Sequence, residues 1–202
     1  MARNVIFDLG MVLIEWDPAL AFADVFDTRD AAEDWMRQIG FDGWNRLQDG
    51  GRSFADGIAA AIAQHGDLAQ PLADYLAAFH LTIEKPVPGS WEILEQLHNA
   101  DVPLYAITNW SADTWPAAVE TYPRLTQVFR DILVSGQEGL LKPEAAIYET
   151  LLRRNGLVAR DCIFIDDSLK NVEGARALGI DAIHFSTAEE LRSMLAARGL
   201  PG

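Results

Sequence analysis

The 202-residue chain reads as an α/β protein, a parallel-sheet core interrupted early by a small all-helical segment. Three observations predict this. Short apolar runs rich in β-branched and aromatic residues recur along the chain, and after position 86 they alternate with amphipathic helical patterns. Between about Glu15 and Pro86 the strand-like runs vanish, and Ala, Leu, Phe and Trp recur at helical spacing. Alternation of strand and helix marks βαβ units, whose crossovers bury a parallel sheet on both faces, so the core is expected to be Rossmann-like.

Taken in order, the buried strands are expected at Val5 to Leu9, Leu104 to Ile107, Ile132 to Val134 and Cys162 to Ile165, with a weaker fifth at Ala182 to Phe185. The inserted helices are expected over Pro18–Phe26, Ala31–Ile39, Phe54–His65 and Pro71–Ile83, and Pro86, Pro88 and Gly89 mark the return to the core. This divides the chain into a core of residues 1–14 and 87–202 and a helical cap of residues 15–86. In the core, Ser90–Asn99 is amphipathic through Trp91, Leu94 and Leu97. Pro143–Asn155 opens on a first-turn proline and stops at Asn155-Gly156. A further helix runs from Asp167 to Gly179, and the last begins at Ser186-Thr187-Ala188-Glu189, a capping-box pattern. No internal repeat is visible.

Composition narrows the function. Half the residues are hydrophobic, enough for a proper core. The 30 acidic against 16 basic residues give a formal charge of −14, which repels nucleic acid and anionic membrane surfaces. An anionic substrate would need positive charge supplied locally. The one cysteine, Cys162, lies in an apolar run and reads as a small buried hydrophobe; no disulfide can form within the chain. Met1-Ala2-Arg3-Asn4 and the short run after it lack the h-region of a signal peptide, and no stretch is long enough for a membrane span, so a cytoplasmic location is expected.

Ligands of open parallel sheets bind outside the carboxyl ends of the strands, and here those ends are polar. The first expected strand runs into Asp8-Leu9-Gly10, the second into Thr108-Asn109 and the fourth into Asp166-Asp167-Ser168, while Lys142-Pro143 opens the helix before the fourth. Singly, each is ordinary turn or cap chemistry. Three carboxylates brought to one rim repel each other and call for a raised pKa or a bound cation, for which magnesium is the economical choice.

In Phe7-Asp8-Leu9-Gly10, Thr108-Asn109-Trp110-Ser111, Gly139-Leu140-Leu141-Lys142-Pro143 and Phe164-Ile165-Asp166-Asp167-Ser168, in that order, the sequence resembles the haloacid dehalogenase-like hydrolases over essentially its whole length. The resemblance implies that Asp8 is a nucleophile forming an aspartyl-phosphate. It implies that Thr108 and Asn109 hydrogen-bond the phosphoryl oxygens and that Lys142 balances their charge. Asp8 and Asp167 would ligate Mg²⁺, Asp166 would ligate it or orient its waters, and Gly10 would contribute its carbonyl. Phosphatases of the family usually carry an Asp two residues after the nucleophile to protonate the leaving oxygen. Gly10 has no side chain, so that acid is missing.

Other positions stay open between roles. Asn171, one turn past Asp167, either holds a metal-bound water or is a simple exposed helix residue. Ser111 reads as an N-cap or a hydroxyl near the phosphate, and Asp17 as a helix cap or a substitute acid. Trp16, Trp44 and Trp110 read as packing, with Trp16 and Trp110 placed to line a pocket. His65, His80, His98 and His184 show no ligand spacing. The leading functional expectation is a magnesium-dependent phosphatase acting on a small-molecule phosphate, for instance a sugar phosphate, with a homodimer left open. The alternatives are a metal-free 2-haloacid dehalogenase using Asp8 and a non-catalytic binding module.

Overall fold

The computed structural model describes residues 4–201; Met1, Ala2 and Arg3 of the segment read for a leader lie outside the described residues. Five parallel strands, β1 (Asn4–Phe7), β2 (Leu104–Thr108), β3 (Ile132–Val134), β4 (Cys162–Asp166) and β5 (Asp181–His184), form one sheet in the order β3-β2-β1-β4-β5. All five expected strands are present. Residue alternation explains their double burial: Val5, Phe7, Ile163 and Ile165 join the apolar cluster on one face, while Ile6, Cys162 and Phe164 join the cluster on the other.

Strand order places the chemistry. The chain leaves β1 for β2 and β3 on one side, then crosses to β4 and β5 on the other, so β1 ends at a topological switch point. Phe7 pairs with Ile165 on one side and Ala106 on the other. Asp8 therefore emerges between the tips of β4 and β2, one strand spacing from Asp166.

The inserted segment is helical but more broken than its periodicity suggests. Helices Arg29–Ile39 and Phe54–His65 lie where expected, capped by the side chains of Thr28 and Ser53. Pro18–Phe22 is a short 3₁₀ turn. The expected Pro71–Ile83 helix is instead a succession of 3₁₀ turn Gly66–Asp74, helix Tyr75–Ala78 and 3₁₀ turn Phe79–Ile83, with Pro71 inside the first and unable to donate an N–H. An additional helix, Phe41–Asp49, follows directly from Gly40, whose left-handed backbone (φ 64°) both ends the preceding helix and starts this one. Its buried stripe is Phe41, Trp44 and Gln48. A glutamine at the third position hid the apolar period.

Tyr75 is the centre of the segment's aromatic packing, with ring centroids 5.3 Å from Phe41, 5.4 Å from Phe22 and 5.8 Å from Phe54. This packing is continuous with the core under one face of the sheet. The two connections to the core run side by side, Val87 N donating to Leu13 O (2.9 Å) and Glu15 N to Lys85 O (2.8 Å). In the core, the Pro143–Asn155 expectation becomes helix Ala145–Asn155, closed by Gly156. The last helix, Ala188–Ala196, is capped one residue later than expected, by Thr187 accepting from Glu190 N. Among the described residues, no helix is long and apolar enough to cross a membrane.

Candidate active site

A cavity of about 150 Å³ opens at the carboxyl ends of the central strands. From the core it is lined by Asp8, Gly10, Thr108, Asn109, Lys142 and Asn171, and from the helical segment by Trp16, Asn45, Asp49 and Phe79. Six chain segments far apart in sequence thus converge where β1 ends.

Lys142 organises the floor. Its ammonium is buried and donates to Asp8 Oδ2 (2.7 Å), Asp166 Oδ2 (2.7 Å) and Ile107 O (3.0 Å), so its three N–H groups are all used. Burial opposes its charge, but Asp8 and Asp166 outweigh burial and hold the ammonium above its ordinary pKa. Asn109 fixes the backbone beneath it, accepting from Lys142 N (2.9 Å) and donating to Lys142 O (3.1 Å). The side-chain amide expected on the phosphoryl oxygens is thereby committed to positioning the lysine. Thr108, buried at the tip of β2, faces the cavity without this commitment.

Asp8 Oδ1 accepts from Leu9 N (2.7 Å), which sets the carboxylate against the cavity. Burial first, then Asp166 and Asp167, push its carboxyl well above the usual range, while Lys142 pulls it down. Asp167, exposed as a residue but with its carboxyl partly desolvated beside the acid cluster, is raised in the same direction, by that desolvation and then by Asp166. One lysine does not compensate three acids.

Asp8, Asp166 and Asp167 each offer an oxygen, all within 4.8 Å of one another. Such a set of hard, anionic oxygens in charge excess fits a magnesium ion. Asp166 is wholly buried and already accepts from Lys142 Nζ, Ser168 N (2.8 Å) and Asn171 Nδ2 (3.0 and 3.1 Å), whereas Asp167 is exposed. Asn171 is therefore no exposed helix residue: it is buried and holds Asp166.

Other expectations change. Asp17 makes no side-chain cap, and its carboxylate is clamped by Arg29 (2.5 and 3.1 Å) in a separate groove, so it neither caps the Pro18 turn nor reaches the cavity. Ser111 is buried in a turn, its Oγ accepting from Asp113 N (3.2 Å), and lies outside the cavity lining. Trp44 is turned into the aromatic packing, with Nε1 donating to Gly57 O (2.8 Å), whereas Trp16 and Trp110 do line the cavity. His184, without ligand spacing in the sequence, donates from Nε2 to Asp167 O (2.9 Å) beside the acidic trio.

Two polar cavity residues of the helical segment had no sequence signal. Asn45 and Asp49 come from the unforeseen Phe41–Asp49 helix, and an acid at a helix end there reads as surface. Recognising Phe41, Trp44 and Gln48 as one face would have placed them together.

Residues 2–179 match the family model of haloacid dehalogenase-like hydrolases. The chain is 29% identical over 199 residues to the sesquiterpene phosphatase astK of Aspergillus oryzae, covering 96% of each protein. It is 25% identical over 193 residues to the phosphoglycolate phosphatase of Pseudomonas fluorescens, covering 92% of this chain and 70% of that one. Its fold is similar to that of a HAD family enzyme from Bacteroides thetaiotaomicron in complex with magnesium and inorganic phosphate, with a TM-score of 0.71 and 20% identity over 96% of this chain and 99% of that one. With the acid-and-lysine floor at the switch point and the family match over nearly the whole chain, this protein belongs to the haloacid dehalogenase-like hydrolases and is an enzyme of that family.

Proposed function

We propose that the protein is a magnesium-dependent phosphomonoester hydrolase working through an aspartyl-phosphate on Asp8. The observation that carries this reading is the floor geometry: Lys142 Nζ lies 2.7 Å from Asp8, within an acidic trio that demands a cation. Asp8 attacks phosphorus, and the acyl-phosphate is then hydrolysed, dividing one difficult displacement into two easier ones. Lys142 and the Thr108 hydroxyl supply positive potential and a hydrogen bond to the phosphoryl oxygens, and Asn109 keeps Lys142 in place. Magnesium, held by Asp8 and Asp167 and steadied through Asp166, would neutralise charge on the phosphoryl group.

The walls above the floor are mostly apolar: Met11, Trp16, Phe79 and Trp110. They suit an alcohol of low polarity better than a sugar, a reading supported by the likeness to a sesquiterpene phosphatase. A metal-free dehalogenase would leave Asp8, Asp166 and Asp167 beside an anionic substrate with Lys142 as the one cation paired to the trio among the described residues. The test is turnover of phosphomonoesters and 2-haloacids with magnesium and with chelator. Magnesium-dependent phosphate release, lost by roughly 10⁴-fold or more in Asp8→Asn, is expected; metal-independent halide release without phosphatase activity would overturn the reading.

A further inference from the structure

We propose that Asp49, reaching the cavity from the helical segment, protonates the leaving oxygen of the phosphate ester in place of the side chain that Gly10 lacks. The proposal rests on the phosphatase reading above. Among the described residues, the cavity is lined by two carboxyl groups, Asp8 at the end of β1 and Asp49 on the helical segment. With phosphorus held against Asp8, the alcohol has to lie in the same cavity, whose lining includes Asp49.

Asp49 is anchored as a working group has to be. Its Oδ2 accepts from Asn45 Nδ2 (3.0 Å), one helical turn earlier. Its backbone carbonyl accepts from Ser135 Oγ (2.6 Å), which itself accepts from Trp110 N (2.8 Å). The residue is thus tied to the same core loop that follows Thr108. Nearby, Phe54 N donates to Asp113 Oδ2 (2.8 Å), a second tie between this segment and that loop.

Its surroundings favour the acid form. Burial pushes the Asp49 carboxyl up to about 7, against the opposing pull of Arg46 on its own helix and of the Ser111 backbone. No ion pair engages Asp49 among the described residues, and the charged groups of adjoining elements are bound elsewhere. Asp113 holds Phe54 N, Glu138 is paired with Arg154, Arg52 with Gln48, and Asp56 with Ser53. Tyr75 stays neutral, its hydroxyl raised by burial, and Asp8 across the cavity is paired with Lys142.

The proton balance closes over one turnover. As the bond from Asp8 oxygen to phosphorus forms and the ester P–O bond breaks, the Asp49 carboxyl gives its proton to the departing alkoxide, releasing a neutral alcohol. The Asp49 carboxylate then takes a proton from the water that attacks phosphorus, freeing inorganic phosphate and the Asp8 carboxylate and restoring the acid.

The test compares 4-nitrophenyl phosphate, which needs little proton assistance, with a primary alkyl phosphate, which needs much. In Asp49→Asn, kcat/KM for the alkyl ester should fall by roughly 10²- to 10⁴-fold and that for the aryl ester by far less. In the wild type, alkyl turnover should fall as pH rises through about 7, and Asp49→Asn should lose that limb. Equal losses on both esters, or an unchanged pH limb, would overturn the proposal while leaving the phosphatase reading intact. A wild type that hydrolyses neither ester would overturn both. Should Asp49→Asn prove insoluble, the wild-type profiles decide: a limb near pH 7 with the alkyl ester alone supports the role, and the same limb with both esters removes it.

Discussion

Lys142 shows how much of this site depends on one side chain. Its ammonium is enclosed by Asp8, Asp166 and the Ile107 carbonyl, and its removal would leave two buried acids without their counter-charge. Breaking a buried pair in this way costs about 3–5 kcal/mol. Lys142→Met should lose stability of that order in urea denaturation without metal, and adding Asp8→Asn should recover part of it, since one of the stranded charges is then gone. A cost near zero would mean that water or another cation compensates the acids. Asp49 gives a pH-dependent counterpart. Its carboxyl is raised in the folded protein from 3.8 to about 7, so the folded chain retains a proton that the unfolded chain releases. Stability is full below the unfolded value and declines as pH rises from about 4 through about 7. Thermal melts of Asp49→Asn should show a shallower decline across that window.

Among the elements, the two glycines nearest the chemistry differ sharply. A Cβ at Gly10 would meet nothing within 4 Å, whereas at Gly174, in the helix Leu169–Ala177, it would lie 2.6 Å from the Pro143 carbonyl oxygen, next to Lys142. Gly174→Ala should therefore cost about 1–3 kcal/mol through overpacking and lower kcat by shifting the lysine loop. Gly10→Ala should leave the melting temperature within experimental error. The strands were legible because burial on both sheet faces demands runs of apolar residues, as in Val5-Ile6-Phe7 and Ile163-Phe164-Ile165. The Phe41–Asp49 helix was not. Its inward face includes Gln48, whose amide is satisfied by Trp44 O and by Arg52, and a pattern of hydrophobicity does not register a buried, hydrogen-bonded glutamine.

For the molecule as a whole, a net charge of −14 coexists with a floor that gathers three carboxylates around one lysine. Cation binding should relieve that repulsion. Magnesium at about 100 times its dissociation constant should stabilise the fold by about 2.7 kcal/mol, visible as a raised melting temperature reversed by chelator. Asp167→Asn should abolish most of the shift, and a shift of equal size in that variant would place the ion elsewhere. The helical segment shares its apolar core with one face of the sheet. We propose that residues 15–86 move as a lid: opening would break the Asp49–Ser135 and Phe54–Asp113 hydrogen bonds, about 0.5–1.5 kcal/mol each, and pivot on the paired connections at Leu13–Val87 and Glu15–Lys85.

Local order along the chain was enough to reveal the parallel sheet, the helical insertion, Asp8, Thr108, Asp166 and Asp167 at strand ends, and Lys142 opening the helix before the fourth strand, because apolar period and turn chemistry are properties of neighbours in sequence. Which of these polar groups engage one another is a matter of distances across the sheet. Folding made Asn109 a support for Lys142 and Asn171 a support for Asp166, and it clamped Asp17 to Arg29 away from the cavity. It also brought Asp49 into the lining of the cavity that holds Asp8. A carboxyl group becomes an acid of use near neutral pH through burial and the placement of charges around it, and those are set by residues distant in the chain.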